Sequence, residues 1–159
     1  MGSSTSQDGE SRVTLHTVIS ENWRDVAALE VTEAQRAFVA EPSYYLALCC
    51  YGDDWHPLAI STDARVIGFM MWAVDPADGS CWLGGILIDQ AYQGQGYGRE
   101  AVRGAITMLS EADGYQDFAL SYSLSNTAAQ HLYETLGFVE TDEWEGDEIV
   151  ARLSVADLT

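Results

Sequence analysis

The sequence has no lysine. Its 7 basic residues are all arginine, set against 25 acidic residues for a formal charge of −18. A triphosphate loop of the G-x-x-x-x-G-K type is therefore excluded, and a surface of this sign repels nucleic acid and anionic membranes. Cysteine is scarce: Cys49 and Cys50 are adjacent and Cys81 stands alone. Three thiols do not make an even disulfide framework, and without an export signal they read as reduced thiols of a cytoplasmic protein. His16, His56 and His131 are scattered, none at ligand spacing from a cysteine, so no metal site is expected. No apolar run approaches the ~18–20 residues of a membrane span.

What remains is ordinary in size and polarity. A chain of 159 residues with 47% hydrophobic residues suits one domain with a real core. Residues 1–11 are small and polar and read as a disordered leader or a tag remnant, leaving 12–159 as the domain. The acidity has two readings. One is a solubility adaptation, for example to a salty cytoplasm; the other is a cationic substrate.

Periodicity gives an alternating order of elements. Residues 13–18 alternate as a first strand. Ser20 is placed to cap a helix through Trp23, Val26 and Leu29. A second helical stretch holds Ala34, Ala37, Phe38 and Val39 and is bounded by Pro42, with a further helical turn over residues 43–50. Strands follow at Leu58–Ser61, Val66–Val74 and Cys81–Ile88, the last two joined by Asp75-Pro76-Ala77-Asp78-Gly79. The pair Gly84-Gly85 inside a strand signals a bulge or a close backbone approach. A helix carries Ala101, Val102, Ala105, Ile106 and Leu109 on one face and ends at Asp113-Gly114. Strand Phe118–Tyr122 and helix Asn126–Leu136 follow, the helix closed by Gly137. Phe138–Thr141 and Ile149–Val155 form a last strand pair. This order implies a mixed α/β sheet with helices on both faces.

Between the strand ending at Ile88 and the next helix lies Gln93-Gly94-Gln95-Gly96-Tyr97-Gly98-Arg99. Alternate glycines let backbone N–H groups converge, and the following helix points its positive end at the same spot. The turn reads as an anion cradle that needs no lysine; the alternative is a tight strand-to-helix connection with glycines for geometry only. A dinucleotide fingerprint counted from Gly94 and Gly96 requires a third glycine where Arg99 stands. The spacing that fits is Q-x-x-G-x-G at Gln93, Gly96 and Gly98.

With that turn the chain resembles the GNAT superfamily of N-acetyltransferases, whose signature is Q/R-x-x-G-x-G/A between a strand and a helix. A second signature, N-x-x-A-x-x-L-Y-x-x-L-G-F, is matched by Asn126, Ala128-Ala129, Leu132-Tyr133 and Leu136-Gly137-Phe138. The likeness runs from about Val13 to Leu153. More narrowly, Phe69-Met70-Met71, Ile88-Asp89, Tyr92 through Gly98, Ser121-Tyr122 and Glu148 through Leu153 look like the bacterial spermine/spermidine acetyltransferase branch.

The resemblance implies a mostly antiparallel sheet of six or seven strands, splayed between the fourth and fifth. It implies an acetyl-CoA co-substrate, with the backbone of Ile86, Leu87 and Ile88 pairing with the pantetheine arm. Gln93, Gly94, Gln95, Gly96, Tyr97, Gly98 and Arg99 would hold the pyrophosphate, and Asn126 and Ala129 would touch the coenzyme. Tyr133 would act as the acid. It lies seven positions after Asn126, two helical turns along one face. A phenol with a reference pKa of about 10 can protonate a thiolate whose conjugate acid has one of about 8.5. The competing reading is a core tyrosine. Some polyamine-acetylating relatives place a glutamate on the fourth strand; its counterpart here is Gly84, which leaves the base to a water chain and a surface carboxylate.

Glu30, Glu33 and Glu41 lie near the first helices, where the family shapes its acceptor site. Glu140, Asp142, Glu143, Glu145, Asp147 and Glu148 crowd the last hairpin, either to bind a polycation or as a solvated turn. Trp55, Trp72, Trp82 and Trp144 offer cation–π contacts, with Trp72 and Trp82 reading as core. The partner is then a small cationic amine such as spermine or spermidine. Open alternatives are another amine (aminoglycoside, amino acid or protein) and a non-catalytic CoA-binding sensor. The resemblance also allows a homodimer.

Overall fold

In the computed structural model, which describes residues 11–52 and 54–158, seven strands form one sheet in the order β1-β2-β3-β4-β5-β7-β6. The strands are β1 (Thr14–Thr17), β2 (His56–Thr62), β3 (Arg65–Val74), β4 (Cys81–Ile88), β5 (Asp117–Tyr122), β6 (Val139–Glu145) and β7 (Glu148–Ser154). The helices are α1 (Trp23–Ala27), α2 (Pro42–Tyr51), α3 (Tyr97–Asp113) and α4 (Thr127–Leu136). Neighbouring strands are antiparallel except β4 and β5, which run parallel. The mixed α/β architecture and the splay are as expected. Residues 1–10 of the anticipated leader lie outside the described residues, and its last residue, Ser11, donates to Glu100 at 3.3 Å.

Strand alternation sorts side chains to the two faces. Leu58 and Ile60 of β2, Cys81 and Leu83 of β4, and Phe118, Leu120 and Tyr122 of β5 pack against the apolar stripe of α3 and Tyr133 of α4. Ala59, Phe69, Met71 and Leu87 face the other way, onto Val26 and Leu29, with Tyr45, Leu46 and Leu48 of α2 beside them. The sheet thus has a core on each face. Full burial of one such large apolar side chain is worth about 1.5–3 kcal/mol.

Several boundaries differ from the sequence reading, each for a local reason. Asn22, not Ser20, precedes α1, and its Oδ1 accepts from the Ile19 amide at 2.7 Å. The second stretch is a 3-10 turn, Glu33–Ala37, rather than an α-helix. Pro42 opens α2 instead of ending what precedes it, because proline lacks only an N–H that the first helical turn leaves unpaired anyway. The acids of the last hairpin are only in part a turn. Glu140, Asp142, Glu143 and Glu145 lie along β6, the sheet edge, where charge discourages pairing with another chain, Asp147 is in the turn and Glu148 opens β7.

Gly84-Gly85 is a bulge. Phe69 pairs with Leu87 and Met71 with Gly84, so Gly85 and Ile86 share the single partner Met70. Gly85 sits at φ +58, a conformation that disfavours any side chain. The bulge bends β4 away from β5. The two strands pair only at Cys81–Phe118 and Trp82–Ala119, and beyond that point they part.

Candidate active site

The gap between β4 and β5 opens into a cavity of about 560 Å³ that runs through the sheet. One end is the glycine turn. Gly94 and Gly96 have φ of +77 and +85, and Gly96 is the N-cap of α3. These left-handed residues curl the chain so that the first N–H groups of a 17-residue helix are presented together, with the positive helix end behind them. Gly94, Gly96, Tyr97, Gly98 and Arg99 all line the cavity; Gln95 does not.

Three side chains hold the turn. Gln93 donates from Nε2 to the Ile88 carbonyl at 2.7 Å and to Oε1 of Gln35 at 2.6 Å. Arg12 donates to the Gln95 carbonyl at 2.6 Å, pairs with Glu100 and lies over the Tyr97 ring at 4.4 Å. Burial pushes the Glu100 carboxyl up, but hydrogen bonds from Arg12 outweigh this and hold it below its ordinary value. Asp89 accepts from the amides of Ala91 and Glu30, tying the start of the turn to the segment after α1.

The anion cradle has an unmet demand. Arg99 reaches the Thr135 carbonyl through Nη2 at 3.2 Å, yet its buried Nε has no hydrogen-bond partner among the described residues. A buried donor on a cation costs free energy unless an acceptor meets it. A phosphate oxygen in the cavity would do so, and the residues present therefore fit a phosphate-bearing coenzyme. No group of three His, Cys, Asp or Glu side chains able to hold a metal occurs among the described residues.

Along the cavity wall, Ile86, Leu87 and Ile88 present β4 where β5 has left it, although the Ile88 carbonyl is taken by Gln93. Asn126 and Ala129 lie opposite. Asn126 caps α4, its Oδ1 accepting from the Ala129 amide at 3.2 Å. Tyr133 lines the same space and is only 8% exposed. Its hydroxyl has no hydrogen-bond partner among the described residues, whereas that of neighbouring Tyr122 donates to Glu140 at 2.7 Å. Burial first, then the charge of Glu148 and the nearby Tyr45, push the Tyr133 phenol well above its ordinary range. Tyr133 therefore keeps its proton at neutral pH.

The acidic candidates divide. Glu148 lines the cavity, and Ser121 of β5 donates to its Oε1 at 2.8 Å. Glu145, its partner across the β6–β7 hairpin, lines it too. Glu30 and Glu41 line a second cavity of about 280 Å³, which shares Val31, Val39 and Leu87 with the first. Glu33 touches neither cavity, and Glu143 is held by Arg152 at 2.7 and 2.8 Å.

The sequence did not single out Phe38, Tyr45 and Met71 for the site, and it left Trp55 as one of four cation–π candidates. All four line the cavity on the α1–α2 side. Trp82 corrects its reading as core, for it lines the cavity with the Arg152 guanidinium 5.6 Å from its ring. Trp72 packs on the core and stacks on His56 at 4.2 Å. The one signal for these residues was Gly84: a Cβ there would come within 3.2 Å of the Trp55 ring, so the missing side chain is what admits the indole.

A bulged fourth strand, a splay beside it and a glycine turn at the head of α3 together form the layout of an acyltransferase domain. The sequence profile of the acetyltransferase (GNAT) family matches residues 21–138, and the chain belongs to that family. Among curated relatives, the spermine/spermidine N(1)-acetyltransferase of Bacillus subtilis is 23% identical over 148 residues, covering 88% of this chain and 97% of that protein. Among solved structures, AAC(6')-Ib in complex with paromomycin and acetyl-CoA superposes with a TM-score of 0.78 at 16% identity, covering 93% of this chain and 96% of that one. The Vibrio cholerae spermidine N-acetyltransferase in complex with CoA and spermine gives 0.69 at 19%, covering 90% and 94%.

Proposed function

We propose that this chain moves the acetyl group of acetyl-CoA to a primary amine of a small cation, a polyamine such as spermine or spermidine, by direct attack in a ternary complex. The observation that carries this is the continuity of one cavity: phosphate-type donors at Gly94 and Gly96 to Arg99, an unengaged phenol at Tyr133 and a carboxylate at Glu148 all face it. The polyamine acetyltransferases among its relatives and the net charge of −18 support the choice of acceptor.

Bound acetyl-CoA supplies an activated acetyl carbonyl; the chain's residues do the rest. The glycine turn and Arg99 hold phosphate oxygens, and Asn126 and Ala129 flank the arm. Backbone groups of Ile86 and Leu87 orient the thioester carbonyl. Tyr133, kept protonated by burial, delivers its proton to the departing sulfur. Glu30 and Glu41, in the adjoining cavity, attract the distal ammonium groups of a long acceptor.

The test is CoA thiol release from acetyl-CoA with spermine, spermidine, diamines, aminoglycosides and peptides. Turnover led by the polyamines supports the proposal. Turnover on peptides alone sinks the polyamine acceptor, and tight CoA binding with no turnover on any amine makes the chain a coenzyme sensor.

A further inference from the structure

An alkylammonium must lose a proton before its nitrogen can attack, and the fourth-strand position that some relatives fill with glutamate is Gly84 here. The fold itself restricts where a base can stand. Phe118, Leu120 and Tyr122 of β5 and Ile149, Ala151 and Leu153 of β7 face α3 and α4, in the same core as Tyr133. By strand alternation Ser121 and Glu148 project from the opposite face, that of α1 and α2. Met71, which packs with that second core, lines the cavity there together with Tyr45 and Trp55. The cavity passes through the splay from one face to the other. An acceptor therefore enters from the α1–α2 face, and a thiolate leaves toward Tyr133 on the α3–α4 face.

On the entry face the choice of carboxylate is narrow. Glu145 and Glu148 are the acids lining this cavity among the described residues. Glu148 is partly buried while Glu145 is exposed. Glu100, Asp78, Glu143 and Glu41 are each paired with an arginine, but no ion pair among the described residues involves Glu148. Its Oε1 is fixed by Ser121, which leaves Oε2 without a partner among the described residues. The groups facing it are the phenols of Tyr45 from α2 and Tyr133 from α4, the hydroxyl of Ser121 from β5 and the carboxylate of Glu145 from β6. Among the described residues no cation is paired with it; Arg99, the arginine lining the same cavity, sits at the glycine-turn end.

We infer that Glu148, held in place by Ser121, is the carboxylate that removes the proton from the acceptor ammonium; this rests on the acetyltransfer reading above. The R–NH₃⁺ group gives one proton to Glu148 and becomes a neutral amine. Its nitrogen lone pair bonds the acetyl carbonyl carbon as the carbon–sulfur bond breaks. Tyr133 hands its phenolic proton to the sulfur, the nitrogen's second proton returns to the phenolate, and Glu148 releases its proton to solvent. The net products are the amide, the free thiol and one proton. Glu148 is thus a catalytic residue, and Ser121 is a positioning residue.

The experiment compares wild type, E148Q and S121A across about pH 7 to 10, with circular dichroism and CoA titration as controls of fold and coenzyme site. Amine binding to the coenzyme-free protein is followed by the fluorescence of Trp55 and Trp82. E148Q should lose about 100-fold or more in kcat/KM for the amine at neutral pH, within the usual span for a positioned base. That deficit should shrink about tenfold per pH unit as the amine approaches its own pKa of about 10, because the free base then forms in bulk. It should also be small with a weakly basic amine. S121A should lose about 3- to 10-fold with the same trend. A pH-independent loss in E148Q that parallels weaker amine binding overturns the inference, leaving Glu148 as a cation-binding group. Unchanged E148Q turnover overturns it as well. Wild type that transfers to none of the amines overturns the acceptor reading and this inference together, so the two failures are distinguishable.

Discussion

The side-chain amide of Gln93 bridges two elements: the last carbonyl of β4, on Ile88 at 2.7 Å, and Gln35 in the 3-10 turn Glu33–Ala37, at 2.6 Å. The signature glutamine is thus spent on fixing where the glycine turn leaves the sheet. Gln93→Ala should cost about 1–2 kcal/mol of stability for two partly buried hydrogen bonds. It should also raise the dissociation constant for CoA several-fold, because the cradle loses its register against Ile86 and Leu87. Urea unfolding and isothermal titration measure the two effects. Lost stability with unchanged CoA affinity would reduce Gln93 to a structural clamp.

Tyr133 and Tyr122 lie side by side, ring centroids 5.6 Å apart, but only Tyr122 has its hydroxyl engaged, by Glu140. Tyr133→Phe removes a free donor and no hydrogen bond, so it should fold normally and bind CoA as wild type does. Its kcat should fall about 10²- to 10³-fold. Tyr122→Phe should leave kcat within a few-fold. The pH dependence follows from burial. The folded pKa of Tyr133 is raised, so the proton stays on well past pH ~10, where a free tyrosine ionises. The wild-type kcat should therefore show no alkaline loss below that pH. Stability should fall above it, as the unfolded chain gives up a proton that the fold retains. A kcat limb falling near pH ~9 would contradict the assignment.

Much of the half of this cavity proposed to hold the coenzyme is legible in the sequence, because it is built from local signals. Gly84-Gly85 marks the bulge, Gln93 to Arg99 marks the cradle, and Ala101 to Leu109 and Ala129 to Leu136 mark two helices by one-sided apolar spacing. The acceptor half is not, because nothing local orients it. Residues Tyr44 to Tyr51 are apolar all round, so no period shows that Tyr45 faces the cavity. The order β5-β7-β6 is a long-range choice, and it alone sets Glu148 beside Ser121. The same choice turns an apparent acidic loop into an edge strand.

The β2–β3 hairpin offers a test of backbone strain away from the site. Its two turn residues, Asp63 and Ala64, have φ of +49 and +63, the only non-glycine positive values among the described residues. A two-residue hairpin turn of this kind favours glycine at its second position. Ala64→Gly relieves a left-handed alanine, a strain of order 1–3 kcal/mol, and gives back about 0.4–1 kcal/mol through a freer unfolded chain. The variant should be more stable by about 1 kcal/mol, read as a higher urea midpoint at unchanged slope, with no change in turnover. A lower midpoint would mean that the turn is not held at these angles in solution.

Gly84 decides whether the base can be moved back to the fourth strand. A Cβ at this position stands 3.2 Å from Cη2 of Trp55 and 3.4 Å from its Cζ3, so even alanine must displace the indole by a few tenths of an ångström. Overpacking of this kind costs about 1–3 kcal/mol. Gly84→Ala should weaken amine turnover and shift Trp55 emission while CoA affinity holds, because the cradle lies at the other end of the cavity. Gly84→Glu has no room for its carboxylate while Trp55 keeps its place. It should therefore fail to rescue E148Q, whereas Gly84→Glu combined with Trp55→Ala has the space to do so. Rescue by Gly84→Glu alone would show that Trp55 yields freely, and that the missing side chain at Gly84 is not what sends proton removal to the far strand.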